Sequence, residues 1–205
     1  MNDTSRTTAV LLAAGAGTRL GLGPKALLKR RGTALVEHLA AVLHDGGCSR
    51  VVVVLGAQAE RVRREASLDG CTVVVNPAWE EGMGTSLRAG LGAVPAGENA
   101  LVALVDQPAL AVEAVRAVLG AHRPGQVTAA AYPDPDGALR RGHPVLFDAS
   151  LLARVAASAS GDEGARRFLQ THAGLVALVD CGAWGDGRDV DTPEDLRLLE
   201  PDPGS

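Results

Sequence analysis

Short apolar segments alternate with segments of helical periodicity along most of this chain. The clearest apolar segment, residues 50–55, contains four consecutive valines, which is typical of a strand that is buried on both faces. Such strands occur in parallel sheets covered by helices on each side, so the sequence predicts an α/β fold with a mostly parallel sheet flanked by helices. The predicted strands are 8–14, 50–55, 71–75, 100–105, 127–132, 143–147 and 175–180. The predicted helices are 33–45, 58–66, 84–91, 112–121, 148–157, 162–171 and 192–199.

The composition limits the kinds of partner that this chain can bind. Its 205 residues are enough for one domain with a sizeable core, and we expect a single domain over 1–205 with flexible tails at 1–7 and 201–205. The net charge is −4, and no basic segment contains aromatic side chains, so nucleic acid is not an expected partner. No apolar stretch approaches the roughly 20 residues that span a bilayer, so no membrane partner is expected.

Three cysteines, Cys48, Cys71 and Cys181, are scattered through the chain. Their odd number and wide spacing match neither a zinc site nor a disulfide framework. The sequence therefore predicts free thiols and a cytoplasmic location.

A glycine-rich loop with two cations follows the first predicted strand. Glycines 15, 17, 21 and 23 let the backbone turn tightly and bring its N–H groups close to an anion, and Arg19 and Lys25 add positive charge. Lys25 is one of only two lysines among 20 basic residues, which indicates that a compact ammonium group is required at this position. We interpret the other lysine, Lys29, as a surface residue. The loop is suited to binding a triphosphate.

Two familiar nucleotide-binding patterns do not fit this loop. A dinucleotide-binding turn has the spacing Gly-x-Gly-x-x-Gly and a carboxylate at the end of the second strand. Here the third glycine comes one position late, and the second strand ends at Leu55 and Gly56. The P-loop pattern requires Gly-Lys-Ser/Thr, but Lys25 lies between Pro24 and Ala26.

Two aspartates are candidate metal ligands. Asp106 directly follows a predicted strand, and ligands of parallel sheets bind at the carboxyl ends of the strands. Mg²⁺ takes one or two protein carboxylates and completes its octahedron with water and phosphate oxygens. The alternative for Asp106 is a turn or capping role before Pro108. Asp191 is either a second ligand or, together with Thr192, part of the start of the last helix.

Three further segments have both a binding and a structural interpretation. Residues 76–87 place glycines and hydroxyls at a helix start, which suits a base or ribose, but a capped loop has the same composition. His143 either points into a cleft or is an ordinary packing residue. Residues 161–167 are either a capped helix or a second phosphate site that includes Arg166.

Taken together, the motifs resemble the MobA-like nucleotidyltransferases, and most of all the molybdenum cofactor cytidylyltransferases. Six ordered matches cover nearly the whole chain: LAAGAGTRLG with PK (12–21, 24–25), GMGTSL (82–87), LVDQP (104–108), GHPV (142–145), GDEGAR (161–166) and DVDTPEDL (189–196). The resemblance implies a Rossmann-like, three-layer nucleotidyltransferase fold and Mg²⁺ as cofactor.

The resemblance also implies roles for particular residues. Arg19 and Lys25 would bind the triphosphate and, with Asp106, carry the catalysis, while Asp106 and Asp191 would hold the metal. The remaining nucleotide-binding residues would be Leu12, Ala13, Ala14, Gly15, Gly17, Asn76 and Ser86. The acceptor would bind beside His143, Asp162 and Arg166.

The expected reaction is attack by an acceptor phosphate on the α-phosphorus of CTP, with release of pyrophosphate. The acceptor implied by the resemblance is molybdopterin or its metal-loaded form, and the product's recipient is a molybdoenzyme or its chaperone. The alternatives are another nucleotide such as GTP, another acceptor such as a sugar phosphate or phospholactate, and a non-catalytic nucleotide- or cofactor-binding module. NAD-dependent redox chemistry is a more distant alternative.

Overall fold

The computed structural model describes residues 6–200 and is built on a seven-stranded sheet. The strands are β1 (Thr7–Ala13), β2 (Lys29–Arg30), β3 (Thr33–Ala34), β4 (Arg50–Leu55), β5 (Thr72–Val75), β6 (Asn99–Leu104), β7 (Val127–Pro133), β8 (Leu139–Phe147) and β9 (Val176–Asp180). The helices are α1 (Leu35–Asp45), α2 (Ala59–Glu65), α3 (Met83–Gly92), α4 (Val112–Gly120), α5 (Leu152–Ser158) and α6 (Arg166–Thr171).

The large sheet has the strand order β5–β4–β1–β6–β8–β7–β9. Its strands run parallel except β8, which pairs antiparallel with both β6 and β7. The predicted α/β architecture, a mostly parallel sheet flanked by helices, is therefore confirmed. Because β8 runs in the opposite direction, its first residues lie at the edge where the parallel strands end. We call this edge the carboxyl rim.

Alternate residues of β1 enter different cores, one on each side of the sheet. Ala9 and Leu11 pack with α1, α2 and α4, while Val10 and Leu12 pack with α3, α5 and α6. Each side chain of a strand points to the face opposite its neighbour's, so a continuous apolar run is required where both faces are covered. This arrangement accounts for the valine-rich strands and gives three layers.

The structure differs from the predicted elements in several places, among them β8, which begins at Leu139 rather than at 143. Thr7 belongs to β1 and pairs with Asn99, so the tail predicted for 1–7 does not reach it, while residues 1–5 and 201–205 lie outside the described part. Helix α1 begins at Leu35 because β2 and β3 pair as a small hairpin. The helix predicted over 162–171 is interrupted at Gly164, where φ is +52°, a conformation that favours glycine.

The three cysteines are free, as predicted. Within residues 6–200, no helix is both long and apolar enough to cross a bilayer.

Candidate active site

The glycine loop after β1 folds back on itself. Gly17 has φ +66°, and a Cβ at this position would lie 2.1 Å from the carbonyl oxygen of Gly23. The amides of Leu20 and Gly21 both donate to the carbonyl oxygen of Gly17 at 3.2 Å. This close approach is possible only without a side chain, and it directs the loop toward Lys25, which begins a short 3₁₀ turn, Lys25–Leu27.

The Lys25 ammonium joins two carboxylates from distant parts of the chain. Its Nζ lies 2.9 Å from Asp106 Oδ2 and 2.5 Å from Asp191 Oδ1. Burial alone lowers the pKa of Lys25, but attraction to Asp106 and Asp191 and the hydrogen bonds to them outweigh it, so the pKa is raised. Arg19 is largely exposed and lies 3.7 Å from the other oxygen of Asp191. Lys25, Asp106, Asp191 and Arg19 therefore form one charged cluster.

The segment that carries Asp191 is attached to the end of β6. The amide of Val190, which is fully buried, donates to the Asp106 carbonyl oxygen at 2.8 Å. The buried amide group of Gln107 donates to Asp189 Oδ1 at 2.8 Å and to the Gly187 carbonyl oxygen at 3.2 Å. These bonds set the position from which Asp191 reaches Lys25.

The two interpretations of the last acidic segment involve different residues. The Thr192 amide and hydroxyl both donate to Asp195 Oδ2 at 2.8 Å, at the start of the 3₁₀ helix Pro193–Leu199. Asp195 therefore takes part in the capping, and the side chain of Asp191 is available to bond Lys25.

A first cavity of about 340 Å³ opens beside the glycine loop at the carboxyl rim. Of the predicted site residues, it is lined by Leu12, Ala14, Gly15, Gly17, Lys25, Ser86, Asp106 and Asp162.

Three predicted nucleotide-binding residues, Ala13, Arg19 and Asn76, do not line this cavity. The side chain of Ala13 is buried in the core on the α1 side of the sheet. Asn76 is also buried, and its amide group is fully used within the protein: Nδ2 donates to Thr85 Oγ1 at 2.8 Å and to Ser86 Oγ at 3.0 Å, and Oδ1 accepts from the Ala78 amide at 3.0 Å. Asn76 thus shapes the loop before α3 and positions Ser86, rather than presenting its own polar groups.

A second cavity of about 300 Å³ adjoins the first. Leu12, Met83, Leu104 and Asp162 line both cavities and separate them. Three arginines, Arg140, Arg141 and Arg166, line the second cavity together with His143 and Asp189. Apolar side chains complete it, among them Val145, Phe147 and Leu169. The predicted acceptor residues His143, Asp162 and Arg166 therefore share one cavity.

His143 lies in this cavity as a neutral imidazole. Burial, reinforced by the positive charge of Arg141, lowers the pKa of His143 to about 4. The backbone of His143 is held by the Tyr132 hydroxyl, which donates to its carbonyl oxygen at 2.9 Å. Near neutral pH the ring can donate or accept a hydrogen bond without adding charge.

The loop at 160–164 packs directly on the start of α3. A Cβ on Gly82 would lie 2.4 Å from the carbonyl carbon of Gly161, and a Cβ on Gly84 would lie 2.5 Å from the amide nitrogen of Ser160. The two glycines thus allow the segment with Asp162 to reach the wall between the cavities. Asp162 belongs to a separate 3₁₀ turn, Gly161–Glu163, and α6 begins at Arg166.

The family described as MobA-like NTP transferase domain matches residues 9–176 of this chain. The chain belongs to that family. It is therefore an enzyme of the nucleotidyltransferase class, as the motifs predict, and its Rossmann-like fold is the one its structural neighbours share.

Several relatives are similar to this chain over most of its length. Nicotine blue oxidoreductase of Paenarthrobacter nicotinovorans is 51% identical over 97% of this chain and 100% of its own length. The chain spans only 51% and 38% of two longer bifunctional relatives. Among solved structures, Rv0371c of Mycobacterium tuberculosis H37Rv is 31% identical with a TM-score of 0.83, covering 95% of this chain and 97% of that one. The 2-C-methyl-D-erythritol 4-phosphate cytidylyltransferase of Thermus thermophilus is 25% identical with a TM-score of 0.70, covering 93% and 96%.

The carboxylates of this MobA-like chain suit a divalent cation. Rv0371c has also been solved in complex with manganese, and that structure is 28% identical to this chain with a TM-score of 0.79, covering 95% of this chain and 98% of that one. In the described part of this chain, no group of three or more His, Cys, Asp or Glu side chains is placed to hold a metal. Asp106 and Asp191 nevertheless converge on one cation, Lys25 Nζ, and Asp106 Oδ1 is buried without a hydrogen-bond partner among the described residues. Two carboxylates are sufficient for Mg²⁺ or Mn²⁺ when phosphate oxygens and water complete the shell.

Several residues at the two cavities were not singled out as site residues by the sequence analysis, although residues 76–87 were a candidate segment for a base or ribose. Trp79, Glu80 and Met83 line the first cavity, and Arg140, Arg141, Gln107 and Asp189 line the second. Burial, followed by repulsion from Asp106, raises the pKa of Asp189, while the Gln107 hydrogen bond opposes this rise. One signal was available: Trp79 is one of two tryptophans in a chain with 2% aromatic residues.

Proposed function

We propose that this protein transfers a cytidylyl group from CTP to the phosphate of molybdopterin or its metal-loaded form and releases pyrophosphate. The observation that carries the proposal is the bridge from Lys25 Nζ to both Asp106 and Asp191 beside the glycine-loop cavity. A largely buried cation shared by two carboxylates, next to a glycine-rich backbone, is suited to binding metal-complexed phosphates.

The acceptor phosphate is already an anion, so the attack on the α-phosphorus needs no general base. The barrier arises from repulsion between phosphates and from charge that builds up on the leaving pyrophosphate. Lys25 and Arg19 offset this charge, and the amides of the loop around Gly15 and Gly17 offer hydrogen bonds to the phosphate oxygens. Asp106 and Asp191 would hold Mg²⁺, which supplies Lewis-acid stabilisation of the phosphates when bound.

The second cavity is the proposed acceptor site. Arg166, Arg140 and Arg141 supply the cationic groups that an anionic substituent needs, and guanidinium groups bind phosphate through paired hydrogen bonds. Apolar side chains provide a surface for a ring system; they include Phe147, Val145 and Leu169. Since the two cavities share Leu12 and Asp162, an acceptor in one lies next to a nucleotide in the other.

CTP is the proposed donor because Ala-Ala-Gly at 13–15 is typical of the cytidylyl-transferring members and because of the likeness to the Thermus thermophilus cytidylyltransferase. We place the reaction in the cytoplasm, since the three cysteines are free thiols. A molybdoenzyme or its chaperone is the proposed recipient of the product.

The test is to incubate the purified protein with Mg²⁺, one nucleotide and one acceptor at a time, and to follow pyrophosphate. We expect release with CTP and molybdopterin, and none when the acceptor is omitted. Release with GTP instead, or only with a sugar phosphate or phospholactate, would reassign the donor or the acceptor. Tight nucleotide binding without any release would favour a non-catalytic carrier.

A second candidate function is oxidoreduction. It is favoured by one observation, the 51% identity over the full length of nicotine blue oxidoreductase. In this case the partly apolar second cavity would take a conjugated dye, and a nicotinamide nucleotide would occupy the first. The spacing of the glycines argues against a standard dinucleotide turn, but it does not address other modes of binding.

The two functions are separated by one pair of assays on the same preparation. The protein is mixed with NADH or NADPH and nicotine blue, and the loss of nicotinamide absorbance is followed in parallel with pyrophosphate release from CTP. If the nicotinamide is oxidised and no acceptor leads to pyrophosphate release, oxidoreduction is established and nucleotidyl transfer is refuted.

A further inference from the structure

One aromatic side chain, Trp79, is found among the described residues that line the first cavity. We infer that the Trp79 indole is the platform on which the nucleobase stacks, and that the neighbouring Glu80 carboxylate selects a base with an exocyclic amino group. This inference rests on the proposed nucleotidyl transfer and assigns the part of the site that recognises the base.

Trp79 is held firmly at the carboxyl rim. A Cβ on Gly56, directly after β4, would lie 2.5 Å from Trp79 Cβ and 2.7 Å from its Cγ, so the missing side chain of Gly56 makes room for the indole. Hydrogen bonds fix the turn that carries Trp79 on both sides of this residue. The Ala78 amide donates to Asn76 Oδ1, the Thr85 hydroxyl donates to the Ala78 carbonyl oxygen at 2.8 Å, and the Gly82 amide donates to the Trp79 carbonyl oxygen at 3.2 Å. A ring that is already ordered loses little entropy when a base stacks on it.

The position of Trp79 suits a base whose phosphates lie at Lys25. Trp79 packs at the end of β4, whereas Asp106 follows β6, and β1 lies between these two strands. Adjacent strands are about 4.8 Å apart, so the two ends of the cavity are separated by roughly 10 Å. A ribose fits between them, and the glycine loop after β1 faces the connecting phosphates.

Glu80 lets this site distinguish one nucleobase from another. Glu80 lines the cavity, is exposed, and forms no side-chain hydrogen bond or ion pair within residues 6–200. An ionised carboxylate can only accept hydrogen bonds, so it favours an amino group such as that of cytosine. Uracil has a carbonyl oxygen in place of that amino group, and two acceptors facing each other repel.

The first experiment uses the small number of indoles in the chain. Trp184→Phe leaves Trp79 as the sole tryptophan, and Trp184 lies outside both cavities. We expect saturable quenching of its fluorescence by CTP with Mg²⁺, excited where CTP does not absorb. By calorimetry, Trp79→Ala should weaken CTP binding about tenfold or more, and Trp79→Phe should weaken it less than about threefold, because a phenyl ring still stacks.

The second experiment measures the ratio of the Kd values for UTP and CTP. Wild type should prefer CTP, and Glu80→Gln should reduce that preference at least about fivefold, because an amide both donates and accepts. Glu81→Gln is the matched control, since Glu81 does not line the cavity, and it should leave the ratio unchanged.

The outcomes of these experiments test the assigned base site separately from the proposed nucleotidyl transfer on which it rests. Equal CTP binding by wild type and Trp79→Ala, or an unchanged ratio in Glu80→Gln, would overturn the assigned base site while leaving nucleotidyl transfer intact. Failure of CTP to bind wild type at all would overturn both.

Discussion

The two adjoining cavities at the carboxyl rim differ in how their charged side chains are paired within the protein. In the first, a largely buried ammonium bonds a pair of carboxylates beside the glycine loop, so its charge is balanced within the protein. In the second, three arginines share the wall with a neutral histidine, an apolar surface and the carboxylates of Asp162, Glu163 and Asp189, and within residues 6–200 none of these arginines forms a salt bridge with a carboxylate. A balanced cluster suits a ligand that brings its own metal cation, whereas arginines left without a carboxylate partner suit a bare anion.

The cavities also differ in how the chain builds them. One wall of the first comes from a continuous stretch, the end of β1 and the loop to Lys25, while its other walls come from the segments around Trp79, Ser86 and Asp106. The second depends on β8, the one strand of the large sheet that runs against its neighbours. The comparison teaches that a glycine loop can be local in sequence, while the wall of the adjoining cavity comes here from a strand that runs against its neighbours.

The strongest test of the charged cluster around Lys25 in the first cavity is the substitution Lys25→Ala. We expect kcat for pyrophosphate release to fall about 10²- to 10³-fold, since a preorganised cation is removed from the charge that develops in the transition state. Lys29→Ala is the matched control, because Lys29 is the only other lysine and is exposed, and it should keep wild-type turnover. Equal rates for both variants would refute the role of Lys25.

The corresponding test of the second cavity is Arg166→Ala compared with Arg167→Ala. Arg166 lines the cavity, whereas its neighbour Arg167 lines a separate cleft on the protein surface. Loss of a charge-assisted hydrogen bond should raise the KM for the acceptor about ten- to a hundredfold in the first variant only. The KM for CTP should not change in either, and a parallel rise in it would show that the two cavities are not separate sites.

The local character of the first cavity is tested by Gly17→Ala and Gly21→Ala. Both glycines have φ near +66°, but only at Gly17 would a Cβ meet backbone, the Gly23 carbonyl oxygen at 2.1 Å. We expect Gly21→Ala to lower the free energy of unfolding by about 1 kcal/mol through strain alone, and Gly17→Ala by about 2–3 kcal/mol. Urea denaturation measures both, and equal losses would show that the loop relaxes around the added methyl group.

The last test concerns pH and the neutral His143, whose effect is spread over the pH range between its two pKa values. Its folded pKa of about 4 lies below the ordinary value of about 6.5, so the unfolded chain binds the proton first as pH falls. Stability should therefore decrease as pH falls between those two values, by at most about 1.4 kcal/mol per pH unit from this group. His143→Asn should flatten the pH dependence of unfolding in that range, and an unchanged slope would contradict the assignment of a half-buried neutral ring.

Much of the first cavity could be predicted because its signals are local. Four glycines and one of the chain's two lysines are visible in a short stretch of sequence, and the continuous apolar runs indicate strands covered on both faces. The fold class, the loop and the candidate carboxylates follow from these features. The sequence predicted Asn76 as a nucleotide-binding residue. It could not show that Thr85, Ser86 and Ala78 occupy the hydrogen-bonding groups of its side chain.

The sequence alone indicated the seven strands of the large sheet, the glycine-rich loop after β1, and several of the ionisable residues at the rim, among them Lys25, Asp106 and Asp191. Only the tertiary structure decided that β8 is antiparallel and that Lys25 bonds aspartates 81 and 166 positions away. The physical reason is that an apolar pattern records how deeply a residue is buried, but it carries no information on strand direction. Contacts between distant carboxylates and one ammonium arise only when packed helices and the paired strands bring those loops to the same edge.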